Sequence, residues 1–329
     1  MVTPSALTGI RVVDFSHVYQ GPVGTQILAD YGADVIKVER PDAGDWSRRW
    51  GPFVHGVSLP YAGLNRNKRS FALNAKSQRG KDAIRALIAT ADVVVHNFRA
   101  GVMEKLGLGY DDLAAQHPRL IYASSGGWGD HGPSVERARG GHDLMARAEA
   151  GWFTQPDPAK PPFPAGISAD YPAGLMLMQG ILMALLRRAQ TGQGDYLDVA
   201  MLDSLLAFTP HFADRVFVDG HAPVPAIERW WGGESFYNVY RTADGGHVTL
   251  GGSEPKFIEN LLTALGRPDL IGLAKRGHGS HQEPVKAFLA EVFATRTRDE
   301  WTAWFATRDV CYAPVYDLKE AYRDPQVRA

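Results

Sequence analysis

The sequence predicts an α/β fold, with a parallel, doubly wound sheet in its first part and a smaller α+β unit after it. Two observations carry that reading. Up to about residue 125, short apolar strand signals alternate with helical ones, the pattern of strands joined by helical crossovers. From about residue 222 the pattern changes to strand, tight turn and strand, then amphipathic helices. At 329 residues the chain is also long enough for about two domains.

Arg11-Val12-Val13-Asp14-Phe15 reads as the first strand, and Gly21-Pro22 opens a helix that runs through Asp30. Asp34-Val35-Ile36-Lys37-Val38-Glu39 is the next strand. Residues 79–91 form a helix with Ile84, Leu87 and Ile88 along one face and Ser77 as its cap. Asp92-Val93-Val94-Val95 is a third strand, residues 102–106 a short helix, and Leu120-Ile121-Tyr122-Ala123 a fourth strand. Such sheets bind ligands at the carboxyl ends of their strands. Residues 126–172 are loop-rich with one helical stretch at 143–150, and the apolar run 175–186 reads as a buried core helix. A turn at Thr191-Gly192-Gln193-Gly194-Asp195 leads to a further helix through Met201-Leu202-Asp203-Ser204-Leu205-Leu206. In the second unit, Glu234-Ser235-Phe236-Tyr237-Asn238-Val239-Tyr240 and His247-Val248-Thr249-Leu250 pair antiparallel about a turn at Asp244-Gly245-Gly246. Helices follow at 256–265 and 285–304. The expected organisation is a large domain at 1–210, a linker at 211–228 and a small domain at 229–315. Residues 316–329 would begin a return segment, short or truncated.

Composition excludes several classes. Lys and Arg total 35 against 36 acidic residues, so the net charge gives no reason to expect nucleic acid or an anionic membrane as partner. Cys311 is the one cysteine, which rules out an intrachain disulfide and fits a reducing cytoplasm. Met1-Val2-Thr3-Pro4-Ser5 carries no basic segment leading into an apolar one, so no signal peptide is expected. The most apolar segment, residues 172–186, is shorter than the roughly 20 residues a bilayer requires and is interrupted by Gln179 and Gly180. A soluble, cytoplasmic protein is expected.

Asp170 is the lone carboxylate of residues 163–174, placed between a Pro- and Gly-rich stretch and an apolar helix. It either caps that helix or does chemistry there. Gly127-Trp128-Gly129-Asp130-His131-Gly132 is a literal G-x-G-x-x-G, but Pro133-Ser134 follows and no helix opens to hold a pyrophosphate. It reads instead as a glycine loop where backbone approaches a ligand or a neighbouring chain. Arg66-Asn67-Lys68-Arg69-Ser70, with Arg40 near in sequence, is either a solvated basic run or a phosphate clamp. His142-Asp143 is either a cap and its neighbour or a proton-transfer base. His278 and His281 are loop residues, no cluster has metal-ligand spacing, and no serine elbow is present.

Taken together, these motifs resemble the family III CoA-transferases, the carnitine and bile-acid CoA-transferase group, over nearly the whole chain. The resemblance rests on Gly9-Ile10-Arg11-Val12-Val13-Asp14 with Gly21-Pro22, and on Ala29-Asp30-Tyr31-Gly32-Ala33-Asp34-Val35-Ile36-Lys37-Val38-Glu39-Arg40-Pro41. It continues through Asn65-Arg66-Asn67-Lys68-Arg69-Ser70, Asn97-Phe98-Arg99-Ala100-Gly101, Leu106-Gly107-Leu108-Gly109-Tyr110, Thr191-Gly192-Gln193-Gly194, and a helix with Asp198 and Met201. It implies a Rossmann-like large domain, a small domain and an interlocked homodimer. The substrates would be an acyl-CoA and a small carboxylic acid, with no tightly bound cofactor. Asp170 would be the nucleophile, passing through an aspartyl anhydride and an aspartyl-CoA thioester. Arg40, Lys68, Arg69 and Lys105 would meet the nucleotide and phosphates, with Asn97 and Phe98 beside the CoA. His17, Val18, Tyr19 and Gln20 would line the pocket near the thioester, and Met201 would pack there.

The same superfamily contains the α-methylacyl-CoA racemases, and Gly141-His142-Asp143 and Glu254-Pro255-Lys256-Phe257 resemble their form. Phe236-Tyr237-Asn238-Val239-Tyr240-Arg241-Thr242-Ala243-Asp244-Gly245 and Asp309-Val310-Cys311 through Pro314-Val315 lean the same way. That resemblance implies His142 and Asp170 as paired bases on the α-carbon, with Glu254 in support. The N-terminal motifs and the short loop after Asp170 favour the transferase. A third class is a non-catalytic acyl-CoA-binding protein, against which the carboxylate of Asp170 argues, since it would repel CoA phosphates.

Overall fold

The computed structural model describes residues 5–131, 139–154, 163–164, 168–224 and 227–329. Chain contacts divide these into two compact units, one up to Pro210 and one from His211 onward.

The first unit is built on six parallel strands: β1 (Arg11–Asp14), β2 (Asp34–Glu39), β3 (Arg69–Ala72), β4 (Val93–His96), β5 (Ile121–Gly126) and β6 (Asp195–Ala200). Their order across the sheet is β6-β5-β4-β1-β2-β3. The chain winds outward from β1 to β3, then returns to the other flank of β1 at β4. This reversal opens a crevice beyond the carboxyl ends of β1 and β4. Strand side chains alternate between the two faces. Val12, Val93 and Ile121 pack with Leu28 of α1 (Gln20–Asp30), and Val13, Val94 and Tyr122 pack with Ile84 and Ile88 of α2 (Gln78–Ile88). Ser77 caps α2, accepting from the Gly80 N–H at 3.1 Å. Three further helices frame the crevice: α3 (Asp143–Glu149), α4 (Asp170–Thr191) and α5 (Met201–Ala207).

Two strands of this sheet carry no strand signal in the sequence. β3 lies at the sheet edge and exposes all four residues, so its Arg-Ser-Phe-Ala reads as part of a basic run. β6 forms the opposite edge and is only partly buried, which places Asp198 on a strand rather than on the expected helix. The apolar run expected to be a buried helix buries one face only. Leu177 and Ile181 are fully buried, whereas Met183 and Leu186 are 67% and 68% exposed.

In the second unit the strands Tyr237–Arg241, His247–Gly251 and Tyr312–Pro314 form an antiparallel sheet, the last of them too short to show a pattern in sequence. The helix expected at 285–304 is two helices, Glu283–Phe293 and Arg298–Phe305. Thr297 and Glu300 form a capping box that starts the second. The Trp301 indole donates to the Phe293 carbonyl at 2.9 Å and locks the corner. The expected linker contains most of a helix, Pro210–Val218. Residues beyond 315 form the short helices Leu318–Ala321 and Pro325–Arg328, the former tied to Arg298 through Glu320. Among the described residues no helix is long and apolar enough to cross a membrane.

The crossing of α1 and α4 decides where Asp170 sits. A Cβ on Gly174 would lie 2.8 Å from the Gln20 carbonyl oxygen, and one on Gly24 would lie 2.8 Å from the Gly174 carbonyl oxygen. Only glycine lets the two backbones meet at that distance. Gly174→Ala is expected to cost about 1–3 kcal/mol in a urea titration, through overpacking. Gly180→Ala, where the new Cβ would meet only Leu197 Cδ1 at 3.5 Å, should be neutral or stabilise by up to about 1 kcal/mol. Equal losses from both would show that the close crossing is not the constraint.

Candidate active site

The loop after β1 is held from below by two buried ion pairs. Asp14 lies 3.2 Å from Lys68 Nζ, and Asp45 lies 2.9 Å from Lys37 Nζ, with all four side chains at most 1% exposed. Burial alone would raise the Asp14 carboxyl, but Lys68 and Lys37 hold it well below the usual carboxylate range. Burial lowers Lys68 to about 8, with Asp14 opposing the fall. Lys37 also donates to the Ser16 carbonyl at 2.6 Å, and Asp45 accepts from the Val18 N–H at 3.1 Å. These bonds keep Val18, a β-branched residue, at φ +71°, a conformation that needs such support. Asn97, just after β4, brackets His17: it accepts from the His17 N–H at 2.8 Å and donates to the His17 carbonyl at 2.7 Å.

Asp170 opens α4 and sits beside the first turn of α1. Burial raises its carboxyl to about 6 and the negative Asp143 adds to the rise, while the Gln20 backbone N–H lowers it. Asp143 accepts from the Ser168 hydroxyl at 2.8 Å and from the Ala169 N–H, and its other oxygen pairs with Arg147 at 3.2 Å. The glycine loop after β5 reaches this region because a Cβ on Gly127 would lie 2.6 Å from Gly141 Cα. The close approach expected toward a ligand or a neighbouring chain is therefore made to the His142 loop of the same chain.

These elements enclose a cavity of about 840 Å³. His17, Val18, Tyr19 and Gln20 line it from the loop after β1, Asn97 and Phe98 from the end of β4, and Met201 from α5. His142 and Asp170 also line it.

The four cations expected to meet the phosphates, Arg40, Lys68, Arg69 and Lys105, do not line this cavity. Lys68 is turned inward, with its ammonium on Asp14, Thr25 Oγ1, the Pro22 carbonyl and Asn65. Arg69 lies on the edge strand, its guanidinium on Asp34 at 2.8–2.9 Å. Arg40 and Lys105 are exposed and do not line the cavity. Glu254 belongs to the other compact unit, where it is an exposed N-cap of the helix Pro255–Ala264. His278 approaches Glu228 at 3.6 Å, and His281 bonds the Gly277 carbonyl at 3.0 Å. Among the described residues no cluster could hold a metal ion.

The cavity wall also holds residues to which the sequence reading gave no site role. Arg99 and Arg139 supply its positive charge, Arg139 lying 4.7 Å over the Trp128 ring. Trp46 and Trp50 line it too, Trp50 stacked on Tyr19 at 5.7 Å. Two tryptophans and two arginines within Asp45-Trp46-Ser47-Arg48-Arg49-Trp50 were the available signal for that wall. Asp143 was named only beside His142, and its tie to the start of α4 had no signal, since its partners lie 25 and 26 residues further on.

Lys68→Met should lower stability by about 3–5 kcal/mol in chemical denaturation, because it leaves the Asp14 charge buried without its partner. Arg69→Gln, at an exposed pair, should cost no more than about 1 kcal/mol. A Lys68→Met protein as stable as the wild type would overturn the internal role.

Comparison with known proteins places this geometry. The model of CoA-transferase family III matches residues 7–329. The chain is 34% identical to human succinyl-CoA:glutarate CoA-transferase over 333 residues, covering 98% of this chain and 74% of that protein. It is 35% identical to human alpha-methylacyl-CoA racemase over 319 residues, covering 96% and 79%. Among solved structures, a CAIB/BAIF family protein from Brucella suis superposes with a TM-score of 0.82 at 31% identity, covering 99% of this chain and 88% of that one. The chain belongs to CoA-transferase family III, whose relatives include both CoA-transferases and alpha-methylacyl-CoA racemases.

Proposed function

We propose that the protein moves CoA from an acyl-CoA donor to a small carboxylic acid, with Asp170 as the nucleophile. The observation that carries this reading is the state of the cavity carboxylates. Asp143 is committed to Arg147, Ser168 and Ala169, and Asp130 accepts from the Tyr196 hydroxyl at 2.7 Å. Asp170 lines the same cavity with no ion pair to any described cation, and its carboxyl is raised to about 6 by burial and by Asp143. At neutral pH such a group is ionised yet more basic than an ordinary carboxylate, which suits a nucleophile.

In this mechanism the Asp170 carboxylate attacks the donor thioester carbonyl, the C–S bond breaks, and CoA leaves as thiolate. The thiolate attacks the aspartyl carbonyl of the mixed anhydride, releases the donor acid and leaves an aspartyl-CoA thioester. The acceptor carboxylate attacks that thioester and expels the thiolate again. The thiolate then takes the acceptor acyl group and frees Asp170. Backbone N–H groups of the facing glycine loops would stabilise the oxyanions, and Arg99 and Arg139 would face the CoA phosphates. A homodimer fits the exposed Met183 and Leu186 on α4, apolar surface that a partner would cover.

A second reading is favoured by one observation: His142 lies on the cavity wall with Asp170, as two bases flanking an α-carbon would require. Glu254, which the racemase resemblance adds in support, belongs to the other unit. Racemisation would need proton exchange at the α-carbon and no acceptor acid.

Asp170→Ala should abolish CoA transfer while leaving CoA binding by calorimetry nearly unchanged. His142→Phe should retain most transfer, and a 2-methylacyl-CoA in D₂O should show no α-exchange. Exchange that His142→Phe abolishes, with no CoA reaching an added acid, would establish the racemase instead. Asp170 also has a stability signature. Its folded pKa of about 6 lies above its ordinary 3.8, so its contribution is fully present below about pH 4 and lost as pH rises through 6. Asp170→Asn should therefore stabilise the protein at pH 8, by at most about 3 kcal/mol, with the gain gone at pH 4. No difference in melting temperature at pH 8 would contradict the strained carboxylate.

A further inference from the structure

We infer that Asp143 is the positioning residue for Asp170: its carboxylate fixes where α4 begins and keeps a negative charge beside the Asp170 side chain. The inference deepens the proposed role of Asp170 and rests on it for its catalytic meaning, though not for its geometry.

Ala169 precedes Asp170 and has no side chain able to cap α4. Asp143 does this work from another helix. Its Oδ1 accepts from the Ala169 N–H and from the Ser168 hydroxyl at 2.8 Å, and the Asp170 N–H donates to that same Ser168 Oγ at 3.3 Å. The start of α4 is thus hung on the start of α3. The second oxygen, Oδ2, lies 3.2 Å from Arg147 one turn along α3, an ion pair that holds the carboxylate in place.

The groups facing Asp170 can be named element by element. From α3 come Asp143 and, behind it, Arg147; from α1 comes the Gln20 backbone N–H. From the loop before α1 comes Tyr19, which faces both Asp170 and Tyr171 and whose hydroxyl is raised by burial, then by those two groups. Asp203, on the α5 helix packed against both α3 and α4, is raised by burial and by Asp198 rather than by Asp170. Asp143 is therefore the one fixed charge that opposes ionisation of Asp170 among these neighbours. Its two duties separate chemically. A neutral residue that still accepts a hydrogen bond keeps the cap and loses the charge, whereas alanine loses both.

The test uses the full-length protein and its Asp143→Asn, Asp143→Ser and Asp143→Ala variants. Protonated Asp170 is read directly by carbodiimide labelling across pH 4–9, followed by peptide mass spectrometry. The acid limb of kcat/KM for CoA transfer is measured in parallel. In the wild type, labelling should fall by half near pH 6. Asp143→Asn and Asp143→Ser should move both midpoints lower by about one pH unit, as expected on removing a like charge, and should keep most of the rate at pH 8. Asp143→Ala should move the midpoints similarly but lose up to about 100-fold of that rate through misplacement of Asp170. Labelling and acid limb that stay at the wild-type pH in Asp143→Asn and Asp143→Ser would overturn the inference, whatever happens to the plateau. A labelling midpoint that moves in variants of a protein unable to transfer CoA would uphold Asp143 and remove the transferase reading instead.

Discussion

Beneath the loop that follows β1, two lysines lie out of reach of water, each against an aspartate: Lys68 on Asp14 and Lys37 on Asp45. Such pairs are weak evidence for net stability, because desolvation offsets much of their attraction. Their value here is geometric. Once all four charges are buried, none can lose its partner without a large cost, so the backbone atoms they hold cannot move either. Ser16 and Val18 are those atoms, and Val18 keeps a left-handed φ that a β-branched side chain disfavours. Everything above depends on that platform, from the bracket of Asn97 on His17 to the Gln20 N–H beside Asp170.

A second constraint brings the acid to the platform. Gly24 and Gly174 let α1 and α4 touch at backbone distance, which sets the first turn of α4 beside that of α1. Asp170 is half-buried there without a cationic partner, so its carboxyl is raised rather than lowered. The contrast with Asp14 is instructive. Both are aspartates in the interior of one unit, yet two lysines pull the first down while burial and a neighbouring carboxylate push the second up. The first group holds the fold together, and the second has the basic carboxylate that the proposed nucleophile needs. Their environments, not their residue type, separate them.

The basic cluster Arg66-Asn67-Lys68-Arg69-Ser70 illustrates how far a motif can be read. A run of cations suits a phosphate, but a run says nothing about which way each side chain points. Lys68 turns inward to satisfy Asp14, and Arg69 stays on an edge strand with Asp34. The cations that do reach the cavity, Arg99 and Arg139, come from loops with no periodicity to mark them.

The sequence by itself determined the elements whose signal is local. β1, β2, β4, α1 and α2 follow from apolar alternation, helical spacing and the Ser77 cap, because the residues that stabilise them lie within a few positions of one another. It also singled out Asp170, and the family resemblance added the segments 17–20 and 97–98, which line the cavity with it. Tertiary structure alone decided the rest. The edge strands β3 and β6 are strands because a neighbouring strand offers hydrogen bonds, not because of their own pattern. Which lysine is buried, which arginine faces the cavity and which aspartate caps α4 depend on partners tens of residues away. A hydrogen bond from Ala169 to Asp143 spans 26 positions, and no local periodicity encodes an interaction that exists only once the chain has folded.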